Sequence, residues 1–158
     1  MDISIREAKR EDLEQIIKLL SEDILGSKRE VYGIPLDNCY INAFDNITND
    51  KNSILLVACL GEKIIGNLQI TFIQYLSHRG SKRAMIENVR VSEKYRCQGI
   101  GTELMYYAID IAKKQGCAVV QLMSDKTRTN AHRFYKRCGF TDTHEGMKLI
   151  LNQALNIL

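Results

Sequence analysis

Two glycines one residue apart, Gly99 and Gly101, follow the basic turn Lys94-Tyr95-Arg96 and open a stretch with the apolar spacing of a helix. The free N–H groups of a helix start and the helix dipole favour an anion, and glycine lets an oxygen approach the backbone closely. Diphosphate is the natural guest of such a turn, and Arg96 is placed to add a charge-assisted hydrogen bond. Two familiar phosphate motifs do not match. A Walker loop needs Gly-Lys-Ser/Thr, whereas Gly101 is followed by Thr102-Glu103; a dinucleotide turn needs a third glycine where Leu104 stands. A bare Gly-x-Gly pair equally suits a helix start that holds nothing. Cys97, beside this helix start, has no histidine near it in sequence and is not read as a nucleophile.

The elements that must position this turn follow from periodicity. Ile3 and Ile5 alternate with polar neighbours as a short strand, and Leu13, Ile16, Ile17, Leu20 and Ile24 form the stripe of a helix over about 11–25. Pro35 suits the first turn of a second helix running to about Asn49. Ser53–Leu60 and Ile64–Tyr75 flank Gly61-Glu62-Lys63 as a hairpin, 77–83 reads as an exposed loop, and Met85–Val91 is the next strand. Side chains 85, 87, 89 and 91 are expected on one face of that strand, with Glu87 its sole acidic residue. A helix from Ile100 to Gly116, a fully apolar strand over Ala118–Met123 and a helix over Asn130–Arg137 follow. Phe140–His144 and Met147–Leu151 are read as two last strands. The succession gives an α+β, three-layer fold: a mixed, mostly antiparallel central sheet flanked by helices, one domain over 1–158.

Composition narrows the class. The 158 residues are 45% hydrophobic and 26% charged, values of a globular chain rather than a disordered one. No apolar run approaches the roughly 20 residues of a membrane span, and Asp2, Arg6 and Glu7 stand where an export signal would be apolar. Five cysteines without a C-x-x-C pair argue for a reducing, cytoplasmic setting and against a structural metal. The first 79 residues carry 9 Lys/Arg against 12 Asp/Glu and the last 79 carry 13 against 7, so the second half suits an anionic partner. Basic residues are too sparse, and too little interleaved with aromatics, for nucleic-acid binding.

The run Arg96-x-x-Gly99-x-Gly101 resembles the acyl-coenzyme A pyrophosphate loop of the GCN5-related N-acetyltransferase family. Asn130-Ala131-His132-Arg133-Phe134-Tyr135, followed by Cys138-Gly139-Phe140, is similar to a later segment of that family, and the element order matches from Ile3 to Leu151. The resemblance implies the acyl-CoA N-acyltransferase fold and acetyl-CoA as cofactor. It implies that Val89, Arg90 and Val91 pair through their backbone with the pantetheine arm, and that the loop from Arg96 and Cys97 through Gln98, Gly99, Ile100, Gly101 and Thr102 takes the diphosphate. Asn130 and Arg133 would lie along the cofactor. Homodimers are frequent in the family, and the apolar tail Leu149, Ile150, Leu151, Leu155, Ile157 and Leu158 suits either a dimer contact or completion of the sheet.

Amide formation from a thioester needs a neutral amine, a polarised carbonyl and a proton for the departing thiolate. Tyr135 matches the family's tyrosine and is the candidate acid, since a phenol stays protonated at neutral pH; the alternative is a core tyrosine with its hydroxyl in solvent. Glu87 is the candidate base, water orienter or acceptor ligand. Counted back from the loop, the catalytic glutamate of the histone-acetylating branch falls on Met85, which disfavours a histone-type acceptor. His132 and His144 are weaker candidates near the site. Acceptor contacts are expected from 25–44 and 73–83, with Tyr32, Phe44, Glu87 and His78 as the named residues. Carboxylates and aromatics in the first segment suit an amine, while Arg79, Lys82 and Arg83 suit an acidic group. A primary amine on a small molecule is the leading acceptor; a protein or peptide amine, and a noncatalytic acyl-CoA-binding module, are the alternatives.

Overall fold

The computed structural model describes residues 2–22 and 26–151. Chain order begins with β1 (Ile3–Glu7), a 3-10 turn over Arg10–Asp12 and α1 (Leu13–Ser21). A one-turn α2 (Gly26–Arg29) and α3 (Asn38–Asn49) follow. The strands β2 (Ser53–Leu60), β3 (Lys63–Gln74) and β4 (Lys82–Val91) make a meander, with a single turn, α4 (Ser77–Gly80), between the last two. Then come α5 (Ile100–Lys114), β5 (Cys117–Leu122) and α6 (Thr129–Arg137). The sheet order is β1-β2-β3-β4-β5, antiparallel except for the parallel pair β4–β5. A parallel pair needs a long crossover, which α5 supplies. This is the mixed, mostly antiparallel sheet flanked by helices that the sequence predicts.

The core explains why β2 reads as an unbroken apolar run. Leu56 and Ala58 join the cluster under α5, while Val57 and Cys59 join the cluster under α1, so both faces of the strand are covered. From α5 the residues Ile100, Leu104, Met105, Ala108 and Ala112 are buried against the sheet. Each large side chain in this stripe contributes about 1.5–3 kcal/mol by leaving water. No helix among the described residues is long and apolar enough to cross a membrane.

The first helix is shorter than its stripe suggests. It starts at Leu13 because Asp12 accepts from Lys9 N at 2.7 Å and pairs with Arg6 through both carboxylate oxygens, at 2.6 and 2.9 Å. The predicted end at Leu25 lies outside the described residues, as do Ile24 and the tail positions Leu155, Ile157 and Leu158. Arg6 holds the Asp12 carboxyl below its ordinary value, helped by the Lys9 amide and opposed by burial. That contribution to stability is full above the ordinary carboxylate range and is lost as pH falls through the lower folded value. Asp12→Ala is expected to cost about 2 kcal/mol at pH 7, a moderate figure because the Arg6 side chain is 35% exposed. Urea unfolding at pH 7 and pH 3 checks this: the gap between variant and parent is smaller at pH 3 than at pH 7.

Three further boundaries are corrected. The second helix begins at Asn38, not at Pro35, because the Asp37 side chain caps it by accepting from Cys39 N at 2.9 Å. The apolar strand β5 is not covered on both faces: it is an edge of the described sheet, with Val119 46% exposed. Phe140–His144 and Met147–Leu151 are not strands. Phe140 N bonds back to Tyr135 O at 3.1 Å, closing the end of α6, and Lys136 pairs with Asp142 at 2.8 Å. The largely apolar segment 147–151 lacks a ladder partner among the described residues, and without one it makes no strand.

Candidate active site

The glycine turn has the backbone that an anion cradle requires. Cys97 and Gly99 both lie in the left-handed region, at φ 59 and 87, and Gly99 is the N-cap of α5. The first helical bond runs from Glu103 N to Gly99 O at 3.0 Å, which leaves the amides of Ile100, Gly101 and Thr102 without acceptors in the helix. Only Glu103 Oε1, at 4.0 Å, comes near the side-chain position of Gly99, so that side of the turn is open. Arg96 donates through Nε to Val91 O at 3.2 Å, and Gln98 donates to Lys94 O at 3.1 Å; both side chains brace the turn.

The two glycines have different reasons to be glycine. A Cβ on Gly101 would stand 3.3 Å from Phe134 Cζ and 3.6 Å from Val91 Cγ2, so its place is filled by α6 and β4 rather than kept for an oxygen. Gly66 on β3 is also a packing glycine. Its Cβ would meet Arg90 O and Leu104 Cδ1, each at 3.0 Å.

Beside the turn, β4 is open along its second half. Its pairing with β5 runs from Lys82↔Cys117 to Ile86↔Leu122 and stops, leaving Glu87–Val91 unpaired on that edge among the described residues. The strand is not regular there. Asn67 stands opposite Arg90 and Gln69 opposite Glu87, so Leu68 faces two residues, and Asn88 takes φ 52. This is a β-bulge. It corrects the expectation that 85, 87, 89 and 91 share a face. Ala84, Ile86, Val89 and Val91 all pack toward the cluster under α5, whereas Glu87 is exposed on the other side of the sheet. Asn67, fully buried on β3, donates from Nδ2 to Asn88 O at 2.9 Å. No sequence motif marks Asn67; its one signal is an asparagine, a poor strand former, inside the mostly apolar stretch Ile64–Ile70.

The helix α6 closes the other side. Phe134 and Tyr135 pack their rings at 5.2 Å, and Phe140 meets Tyr135 edge-on at 6.2 Å. Burial raises the Tyr135 phenol above its ordinary value near 10, and the charges of Arg128 and Arg90 partly offset this. Asn130 and Arg133 are hydrogen-bonded to each other on the exposed first turns of α6. His132 is tied through Nε2 to Asp125 O at 2.8 Å, and His144 Nδ1 lies 2.8 Å from Thr143 Oγ1.

The residues named for the acceptor side are not brought together. Phe44 is 6% exposed and packs with Leu13 and Ile17, which makes it an anchor of α3 and not a wall of a cleft. Tyr32 donates its hydroxyl to Glu14 Oε1 at 3.1 Å, with Lys18 lying 6.0 Å from the ring centre. His78 sits in the turn between β3 and β4 at φ 52, beyond Lys82, so roughly 16 Å of strand separates it from Glu87. Arg83 stacks on Tyr75 at 4.5 Å. Among the described residues no group of three His, Cys, Asp or Glu side chains is placed to hold a metal ion.

The acetyltransferase (GNAT) family profile matches residues 14–140, which spans every part of this site. The chain belongs to the GNAT acetyltransferase family. It is accordingly an acetyl-CoA-dependent acetyltransferase, and the open turn, the unpaired half of β4 and the flanking α6 fit an elongated, phosphate-headed thioester. A solved protein described as a transcriptional regulator from Bacillus halodurans C-125 is 50% identical, with a TM-score of 0.93 over 94% of this chain and 99% of that one. Aminoalkylphosphonate N-acetyltransferase of Salmonella typhimurium is 24% identical over 89% of this chain and 86% of its own length. Glucosamine-6-phosphate N-acetyltransferase from Arabidopsis thaliana, 20% identical with a TM-score of 0.79 over 96% and 100% of the two chains, shares the fold.

Proposed function

We propose that this GNAT enzyme moves an acetyl group from acetyl-CoA to the primary amine of a small molecule by direct attack. The observation that carries the proposal is the half of β4 from Glu87 to Val91, unpaired on its β5 side and ending at the open amides of the glycine turn. Val89, Arg90 and Val91 offer backbone groups to the pantetheine arm. The amides from Gln98 to Thr102, with Arg96 and Cys97 shaping the turn, receive the diphosphate, and Asn130 and Arg133 border it. Bound acetyl-CoA supplies an electrophilic carbonyl and a thiolate leaving group.

Glu87 takes the proton of the acceptor ammonium, directly or through a water, so that the nitrogen lone pair is free to attack. As the C–S bond breaks, the Tyr135 hydroxyl donates its proton to sulfur. A free phenol is about 1.5 pK units weaker than a thiol, or about 2 kcal/mol uphill, so the donor needs help. Arg90 and Arg128 supply part of it by stabilising the phenolate that remains, against a burial that holds the phenol above its ordinary value.

A small-molecule amine is supported by the Salmonella relative, whose name gives an aminoalkylphosphonate as its substrate. A cytoplasmic homodimer is the working form of this proposal. Five free cysteines suit a reducing compartment, and Met147, Leu149 and Leu151, each at least 86% exposed, suit a second copy. The test is a panel of small amines, aminosugars, aminophosphonates and peptides with acetyl-CoA, reading thiol release. A small amine is expected to turn over at least tenfold faster than any peptide, and Glu87→Gln to lower its kcat by about 10²-fold. Turnover confined to peptides, or an undiminished Glu87→Gln rate, contradicts the proposal.

A further inference from the structure

Asn67 lies at the centre of β3 with no exposed surface, in a slot that apolar packing would fill more cheaply. Its Nδ2 donates to Asn88 O at 2.9 Å, and its Oδ1 has no hydrogen-bond partner among the described residues. A buried amide with one satisfied end is a net burden on stability, so its retention calls for another explanation. The bond it makes supplies one. Asn88 is held at φ 52, a left-handed conformation that asparagine adopts more readily than other residues with a Cβ but less readily than glycine, and the bulge is seated across from Asn67 and Leu68.

We infer that Asn67 is a positioning residue for acetyl transfer, clamping the Asn88 bulge so that Glu87 faces one side of the sheet while Val89 and Val91 turn to the other. The inference rests on the proposed roles of Glu87 and the β4 backbone. Without the bulge, strand alternation returns Val89 and Val91 to the Glu87 side and realigns the open edge from Asn88 to Val91. One amide on β3 thus sets both the acid–base side chain and the backbone that the cofactor arm pairs with. Glycine takes positive φ without strain, so Asn88→Gly makes the clamp dispensable.

The experiment is a cycle of Asn67→Leu, Asn88→Gly and the double variant. Each is measured for melting temperature, steady-state kinetics and the NMR chemical shifts of residue 88, which report left-handed backbone. Asn67→Leu is expected to melt at or above the parental temperature, yet to lose kcat at least tenfold and raise the acetyl-CoA KM severalfold, with residue 88 leaving the left-handed region. The double variant regains at least threefold in kcat over Asn67→Leu, with Asn88→Gly alone measured as the reference for that substitution's own effect. If Asn67→Leu does not fold, Asn67→Met, which adapts its shape to the slot, carries the same expectations. Unchanged kinetics in the Asn67 variant, a left-handed residue 88 despite lost activity, or no recovery in the double variant each overturns the clamp. Acetyl-CoA affinity of the parent is measured alongside; absent binding there defeats the enzyme mechanism, whereas the shifts of residue 88 judge the clamp independently.

Discussion

Tyr135→Phe is expected to lower kcat by about 10²-fold or more while the acetyl-CoA dissociation constant stays within about twofold of the parent. The substitution removes one oxygen and leaves the ring where Phe134 and Phe140 already hold it, at 5.2 and 6.2 Å. Packing is therefore kept and the proton is lost. A 10²-fold fall corresponds to about 2.7 kcal/mol in the barrier, within the range of a single general acid. Burial raises the phenol above 10, so the protonated form persists from neutral pH through the ordinary phenol range, and any fall in kcat caused by its ionisation lies above that. The alkaline limb should vanish in Tyr135→Phe. Stopped-flow acetylation of an accepted amine across pH 7–11 measures both effects, and an unchanged rate at pH 8 removes Tyr135 from the chemistry.

Gly99→Val is expected to weaken acetyl-CoA binding by about 10²-fold, roughly 2.7 kcal/mol, through the backbone alone. At φ 87 a β-branched residue is forced out of the N-cap conformation from which α5 starts with its first amides free. Losing two charge-assisted hydrogen bonds to a diphosphate, each worth about 1.5–3 kcal/mol, accounts for a loss of that order. Generic strain is separated by Gly61→Val. Gly61 also has positive φ, 59, but lies in the turn between β2 and β3 with no atom within 4 Å of its side-chain position. That variant is expected to unfold at lower urea while binding acetyl-CoA normally. Equal affinity in Gly99→Val and the parent would contradict the placement of the diphosphate.

Much of the scaffold was legible because its signals are local. The stripe from Ile100 to Ala112, the hairpin at Gly61 and the paired segments around Gly99 and Asn130 each depend on residues close in sequence, and the structure places all of them as expected. The bulge was not legible. Met85–Val91 reads as a regular strand, and a one-residue slip depends on Asn67, 21 positions away. Phe44 misled for a different reason: an aromatic on an amphipathic helix carries the same pattern whether it faces the core or a ligand, and only packing against Leu13 and Ile17 decides. Gly101 reads like Gly99, yet its constraint comes from Phe134, 33 residues on. The segment 147–151 is apolar enough to read as a strand, but strand formation is a property of pairs.

Isothermal titration of acetyl-CoA into the folded chain bears most directly on the central claim, that main-chain amides around Gly99 hold a diphosphate beside the open half of β4. Saturable binding at one site per chain is predicted, with a dissociation constant in roughly the micromolar range and loss of affinity in Gly99→Val. A chain whose circular dichroism shows it folded, yet which takes up no acetyl-CoA at about millimolar concentration, would contradict it.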